Sequence, residues 1–174
     1  MKHKAFVLVI LIISVILIAL LTHKQADIPD TRQPVIAAPD IKLIDISKNT
    51  LRLSELRGSV VFVNFWASWC EPCIEEIPSI EKLYRNLSGN TQFKMITVLF
   101  RDDEKRIVQY LKERGYTFPV YLDPDNSGAR QFGITGVPET FIIDKKGFLR
   151  EKVIGPAEWD SEQAVNLLTK LLNE

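Results

Sequence analysis

Apolar residues in this chain are grouped in three ways, and each grouping predicts a different element. Ala5 to Leu21 is an unbroken run whose single weakly polar member is Ser14. Val60-Val61-Phe62-Val63-Asn64-Phe65-Trp66 is almost wholly apolar, and Phe93 to Phe100 is similar, as expected for strands covered on both faces. From Ile74 the spacing changes. Ile74, Ile77, Ile80, Leu83 and Leu87 mark one face of a helix from about Glu71 to Leu87. Pro78 falls inside that helix and predicts a kink.

Weaker patterns supply the remaining elements. Ile41 to Ile46 and Thr50 to Leu53 alternate at period two around Ser47-Lys48-Asn49, which predicts a β-hairpin ahead of the main fold. Asp103 to Arg114 reads as an amphipathic helix, Phe118 to Leu122 as a short strand and Ser127 to Phe132 as a short helix. Thr140 to Asp144 and Phe148 to Ile154 flank the turn Lys145-Lys146-Gly147. A closing helix runs from Ser161 to Leu172, with Asp160 or Ser161 as its N-cap. The order is hairpin, βαβ, αβα, ββα. It predicts an α/β domain with a mixed sheet and helices on both faces.

The first apolar run predicts a membrane anchor. Its 17 residues reach roughly 26 Å as a helix, enough for a hydrocarbon core. Lys2 and Lys4 precede it, so the start should stay cytoplasmic and the rest should lie outside. A cleaved signal peptide is the competing reading, but Leu20-Leu21-Thr22-His23-Lys24 offers no small-x-small cleavage site. Residues 1–24 are therefore expected to be the anchor, 25–37 a tether containing Pro29 and Pro34, and 38–174 one folded domain. The 22 basic and 22 acidic residues balance over the whole chain; without the three lysines of the anchor, 19 face 22, a net charge of −3. Such a surface gives no reason to expect nucleic acid as a partner.

The strand Val60–Trp66 delivers Trp69-Cys70-Glu71-Pro72-Cys73 to a helix start, and the chain has 2 cysteines. A bridge between residues three apart closes almost no loop, so it does little for stability. Redox chemistry is the better reading. At the helix N-terminus Cys70 is expected to be the exposed nucleophile. Cys73, one turn on, is expected to expel a substrate from the mixed disulfide. Pro72 restricts the loop between them. Glu71, Glu75 and Glu76 crowd the same helix start, His3 and His23 lie outside the domain, and no cation is near in sequence. A thiolate so poorly stabilised predicts a reducing couple.

Two further features stay open on the residues alone. Glu76 is either an exposed helix carboxylate or a core-facing one beneath the thiols, with a raised pKa and access to the Cys73 proton. In Gly136-Val137-Pro138-Glu139-Thr140, a proline precedes a buried strand. It marks either a plain turn or a cis-proline loop facing the thiols, where the Val137 backbone pairs with a substrate strand.

Three segments resemble the thioredoxin superfamily, and more narrowly its membrane-anchored TlpA/ResA/CcmG (DsbE) branch: Phe65 to Cys73, Glu75-Glu76-Ile77-Pro78, and Gly136 to Asp144. The resemblance implies a thioredoxin-like fold, a cis bond at Pro138 and a catalytic Cys70–Cys73 disulfide with no further cofactor or metal. It makes Glu76 the acidic partner of the thiols, since Asn64 stands where thioredoxin has a buried aspartate. Trp69, Glu71, Pro72, Val137 and Pro138 are then the expected substrate-binding residues.

The function so implied is reduction of the haem-binding cysteines of apocytochrome c, at the outer face of a bacterial cytoplasmic membrane. Electrons would come from a CcdA/DsbD-type membrane thiol transporter. A general reductase of extracytoplasmic disulfides keeps the same site with other clients. A thiol peroxidase, or a Cu(I)-handling module held by two thiols, are alternatives of a different class.

Overall fold

The structure is a computed structural model that describes residues 36–174. The expected anchor and most of the expected tether lie outside the described residues. Among the described residues, no helix is long and apolar enough to cross a membrane.

A seven-stranded mixed sheet forms the centre, in the order β2-β1-β5-β4-β3-β6-β7. Its strands are β1 (Lys42–Asp45), β2 (Thr50–Arg52), β3 (Val60–Trp66), β4 (Phe93–Leu99), β5 (Val120–Leu122), β6 (Glu139–Ile143) and β7 (Leu149–Ile154). β3, β4 and β5 run parallel, β6 pairs antiparallel with β3, and β1 and β2 form an antiparallel pair. The helices are α1 (Glu71–Leu87), α2 (Glu104–Arg114), α3 (Ser127–Gln131) and α4 (Glu162–Asn173). Just ahead of β1, the Ile36 carbonyl accepts from Leu149 N–H and Ala38 N–H donates to the Gly147 carbonyl.

β3 is buried along its whole length, and its alternation divides the core in two. Val60, Phe62 and Trp66 pack with Ile77, Ile80 and Leu83 of α1, Ile107 of α2 and Leu168 of α4. Val61, Val63 and Phe65 point the other way, against Ala129 and Phe132 around α3 and Ile41 and Leu43 near the hairpin. Each such side chain taken fully out of water contributes about 1.5–3 kcal/mol. Asn64 interrupts this pattern on the α1 side and is 0% exposed. The β3–β6 register sets Asn64 opposite Thr140 and Phe65 opposite Glu139. A buried polar pair is thereby built into the sheet beneath the start of α1.

Candidate active site

β3 ends at Trp66, and Trp66, Ser68 and Trp69 are held by the loop that follows β4. Phe100 N–H donates to the Trp66 carbonyl at 2.9 Å, Asp102 accepts from Ser68 N–H, and Trp69 Nε1 donates to the Arg101 carbonyl at 3.2 Å. Arg101 adopts a positive φ of 52°, a conformation unusual for a residue with a side chain. Cys70 is the N-cap of α1, with extended backbone, and its Sγ accepts from Cys73 N–H at 3.2 Å. Glu71 and Pro72 fill the first two helical positions, where the proline removes a donor that has no helical partner.

Cys70 and Cys73 are joined as a disulfide, with Cα atoms 5.3 Å apart. Cys73 is fully buried, and Cys70 is only 5% exposed. A nucleophile at a helix start is expected to be more open. The difference arises across the sheet, where the Val137 carbonyl oxygen lies 3.4 Å from Cys70 Sγ. The disulfide sulfur carries no proton, so that distance is a packing contact. The Val137–Pro138 peptide is cis. Val137 is half-buried and Pro138 buried, while Trp69, at 56% exposure, with Glu71 and Pro72 faces solvent beside them. Neither N–H nor C=O of Val137 bonds to another backbone group among the described residues.

Glu76 faces inward. It is 3% exposed, one helical turn beyond Cys73. Oε1 accepts from Asn64 Nδ2 at 2.9 Å; Oε2 accepts from Ala157 N–H and from Trp159 Nε1, each at 3.1 Å. Burial pushes this carboxyl above its usual range, and the hydrogen bonds from Asn64, Ala157 and Trp159 oppose the shift without reversing it. Ser79 holds the two donors of the β7–α4 segment in place. Its hydroxyl accepts from Trp159 N–H at 3.0 Å and donates to the Glu76 carbonyl at 2.8 Å. The Trp159 ring is fixed edge-on to Phe62, with centroids 4.8 Å apart. Glu75, Glu76, Pro156, Ala157 and Glu158 line a recess of about 230 Å³.

Glu139, directly after the cis-proline, is also buried, at 1% exposure. Its Oε1 accepts from Thr135 N–H at 3.1 Å, bracing the loop that carries Val137. Lys152 Nζ lies 2.9 Å from Oε2, close enough for an ion pair although not aligned as a hydrogen bond. Among the described residues no cluster of three His, Cys, Asp or Glu side chains is placed to hold a metal ion.

A family model for AhpC/TSA proteins matches residues 36–152. The chain belongs to this thioredoxin-like family. It is 31% identical over 118 residues to the thiol-disulfide oxidoreductase ResA of Geobacillus thermodenitrificans (strain NG80-2), covering 68% of this chain and 67% of that one. With the thioredoxin-like protein YneN of Bacillus subtilis (strain 168) it shares 29% identity over 150 residues, 84% of each chain. Among solved structures, a Chlorobium tepidum protein assigned as the thiol:disulfide interchange protein DsbE matches with a TM-score of 0.70 and 28% identity, over 79% of this chain and 96% of that one. The protein is a thiol–disulfide oxidoreductase.

As a member of this thioredoxin-like family, the protein brings its eight sequence-derived site residues to one end of the sheet. Cys70, Glu71, Pro72, Cys73 and Glu76 come from the first turns of α1, Trp69 from the turn before it, and Val137 and Pro138 from the loop before β6. The residues around Glu76 that the sequence did not mark are Ala157 and Trp159, which donate to it, Ser79, which holds Trp159, and Thr140, which accepts from Asn64. No local signal marks them.

Proposed function

We propose that this oxidoreductase works as an extracytoplasmic reductant, and that Glu76 exchanges the proton of Cys73 during each cycle. The observation that carries this reading is the buried carboxyl one turn below Cys73, held by three donors and bordered by a recess to solvent. In the reduced protein the Cys70 thiolate attacks a substrate disulfide, forming a mixed disulfide and releasing one substrate thiolate, which takes up a proton. Glu76 then removes the Cys73 proton. The Cys73 thiolate attacks Cys70 Sγ, and the second substrate sulfur leaves and is protonated. Two electrons pass to the substrate, and the enzyme ends as the Cys70–Cys73 disulfide. The free N–H and C=O of Val137 suit pairing with an extended substrate segment, with Trp69, Glu71, Pro72 and Pro138 around it.

Direction is supported by charge. Glu71 and Glu75 lie on the solvent side of α1 near the disulfide, and no cation hydrogen-bonds to Cys70 among the described residues. A reduced state without a strongly stabilised thiolate gives up its electrons readily. Kinship with ResA and DsbE proteins supports apocytochrome c, with its paired haem-binding cysteines, as the client. It also supports a CcdA/DsbD-type transporter as electron donor. The apolar run Ala5–Leu21 behind Lys2 and Lys4 supports a single-pass anchor with the domain outside the membrane.

Trapping tests the assignment. Cys73→Ala cannot resolve the mixed disulfide, so in cells it should accumulate covalently joined through Cys70 to apocytochrome c. A spread of unrelated envelope proteins would instead establish a general disulfide reductase.

A further inference from the structure

Around Glu76 one buried polar atom lacks a partner. Asn64 Oδ1 accepts nothing, while Nδ2 of the same carboxamide donates both its hydrogens, to Glu76 Oε1 and Thr140 Oγ1, each at 2.9 Å. Buried oxygens are rarely left so. The arrangement suits one charge state of Glu76 and not the other.

The two oxygens of that carboxyl are not equivalent. Oε2 faces the Ala157 backbone N–H and the Trp159 indole N–H, donors that can never accept. A proton arriving at Glu76 therefore belongs on Oε1. There it meets Asn64 Nδ2, another donor, and two hydrogens point at each other. Turning the Asn64 carboxamide over removes the conflict, because its two ends are nearly alike in size. Oδ1 then accepts from Oε1–H. It also accepts from the Thr140 hydroxyl, which donates as readily as it accepts.

We propose that Asn64 and Thr140 form a reversible hydrogen-bond switch that presents the Asn64 N–H to ionised Glu76 and the Asn64 carbonyl to protonated Glu76. Both are positioning residues acting through Glu76. The switch gives Glu76 Oε1 a complementary group in each charge state, a donor when ionised and an acceptor when protonated, and Thr140 follows whichever end of the carboxamide faces it. An aspartate at position 64 would place two carboxyls in contact and force them to share one proton. The switch deepens the reading of Glu76 as the proton-exchanging group and rests on it for its use in catalysis.

The surroundings leave Glu76 free to set the orientation. α1 contributes Cys73 and Glu75, and the segment before α4 contributes Glu158, which shares the recess. β3 and β6 contribute the neutral Asn64 and Thr140; the Glu139 carboxylate next to Thr140 is engaged with Thr135, Gly136 and Lys152. No cation pairs with Glu76 among the described residues. Burial, which raises its pKa, brings the protonated state closer to neutrality.

Side-chain NMR on the oxidised full-length protein tests this directly. The Asn64 carboxamide ¹⁵N and ¹H signals should move between two positions with the same midpoint as the Glu76 carboxyl ¹³C. Glu76→Gln supplies a locked reference, because its own NH₂ requires an acceptor at Asn64. Its Asn64 signals should match the acid form of the wild type at every pH. Asn64→Leu and Thr140→Val should each raise the Glu76 midpoint, the former by a full pH unit or more. Asn64 signals that stay still through the Glu76 titration, or that match the alkaline form in Glu76→Gln, would overturn the switch. The titration is read without turnover. Unchanged pH dependence of thiol exchange in Glu76→Gln would therefore count against the catalytic role of Glu76 and not against the switch.

Discussion

Glu76 and Glu81 lie on the same helix, are 3% and 5% exposed, and hold their protons in opposite ways. For both, burial is the largest influence and raises the pKa. At Glu81 it is outweighed by donation from Thr117 N–H, Arg85, the Thr117 hydroxyl and Phe118 N–H, so the carboxyl sits below its usual range. Glu76 has three donors and no cation, and stays above it. The consequences for stability have opposite signs. Glu81 stabilises the fold at pH values above the ordinary carboxylate range, and the benefit is lost as pH falls through its lowered folded value. Glu76 favours the fold most below the ordinary value of 4.5, and that contribution is lost as pH rises through its raised folded value. Denaturant titrations of the oxidised protein should therefore show Glu81→Gln costing about 1–3 kcal/mol at pH 7 and less at pH 4. Glu76→Gln should gain on the wild type between the same two points as pH rises. Equal gaps at pH 4 and pH 7 for either variant would contradict the assignment.

At the scale of elements, much was legible where a pattern is local. Val60–Trp66 and Glu71–Leu87 have the bounds that the apolar run, the N-cap position and the helical spacing predict. β5 starts at Val120, two residues later than the apolar pattern suggests, because Pro119 has no N–H for the ladder; its carbonyl instead accepts from Thr97 N–H and hydroxyl. The inward setting of Glu76 stayed open on spacing alone, since Ile77 beside it is compatible with either face. What decided it lies far along the chain: Ala157 and Trp159 are 81 and 83 positions away, brought in by a turn that Ser79 fastens to α1. Ser79 carries nothing in sequence to mark it as more than a helix serine. Ser79→Ala strips the Trp159 N–H of its partner and should cost about 1–3 kcal/mol. It should also loosen the donors on Glu76 Oε2 and move the Glu76 titration upward. A stability loss with that titration unmoved would make Ser79 structural only.

For the whole molecule, the sheet gathers at the C-terminal end of β3 the Cys70–Cys73 disulfide, the buried Glu76 carboxyl and a Val137 backbone that has no backbone partner among the described residues, with exposed Trp69, Glu71 and Glu75 around them. The family and the basic reaction follow from that end of the sheet and from its relatives. The proposed direction of electron flow, toward the substrate, follows from the absence of any cation bonded to Cys70 among the described residues. The direct measurement is the standard reduction potential of the Cys70–Cys73 couple, by equilibration against dithiol buffers of known potential at pH 7. A reducing Cys70–Cys73 couple should give a value in the range of reducing thioredoxins, about −270 mV. A value near that of the strongly oxidising DsbA, about −120 mV, would contradict it.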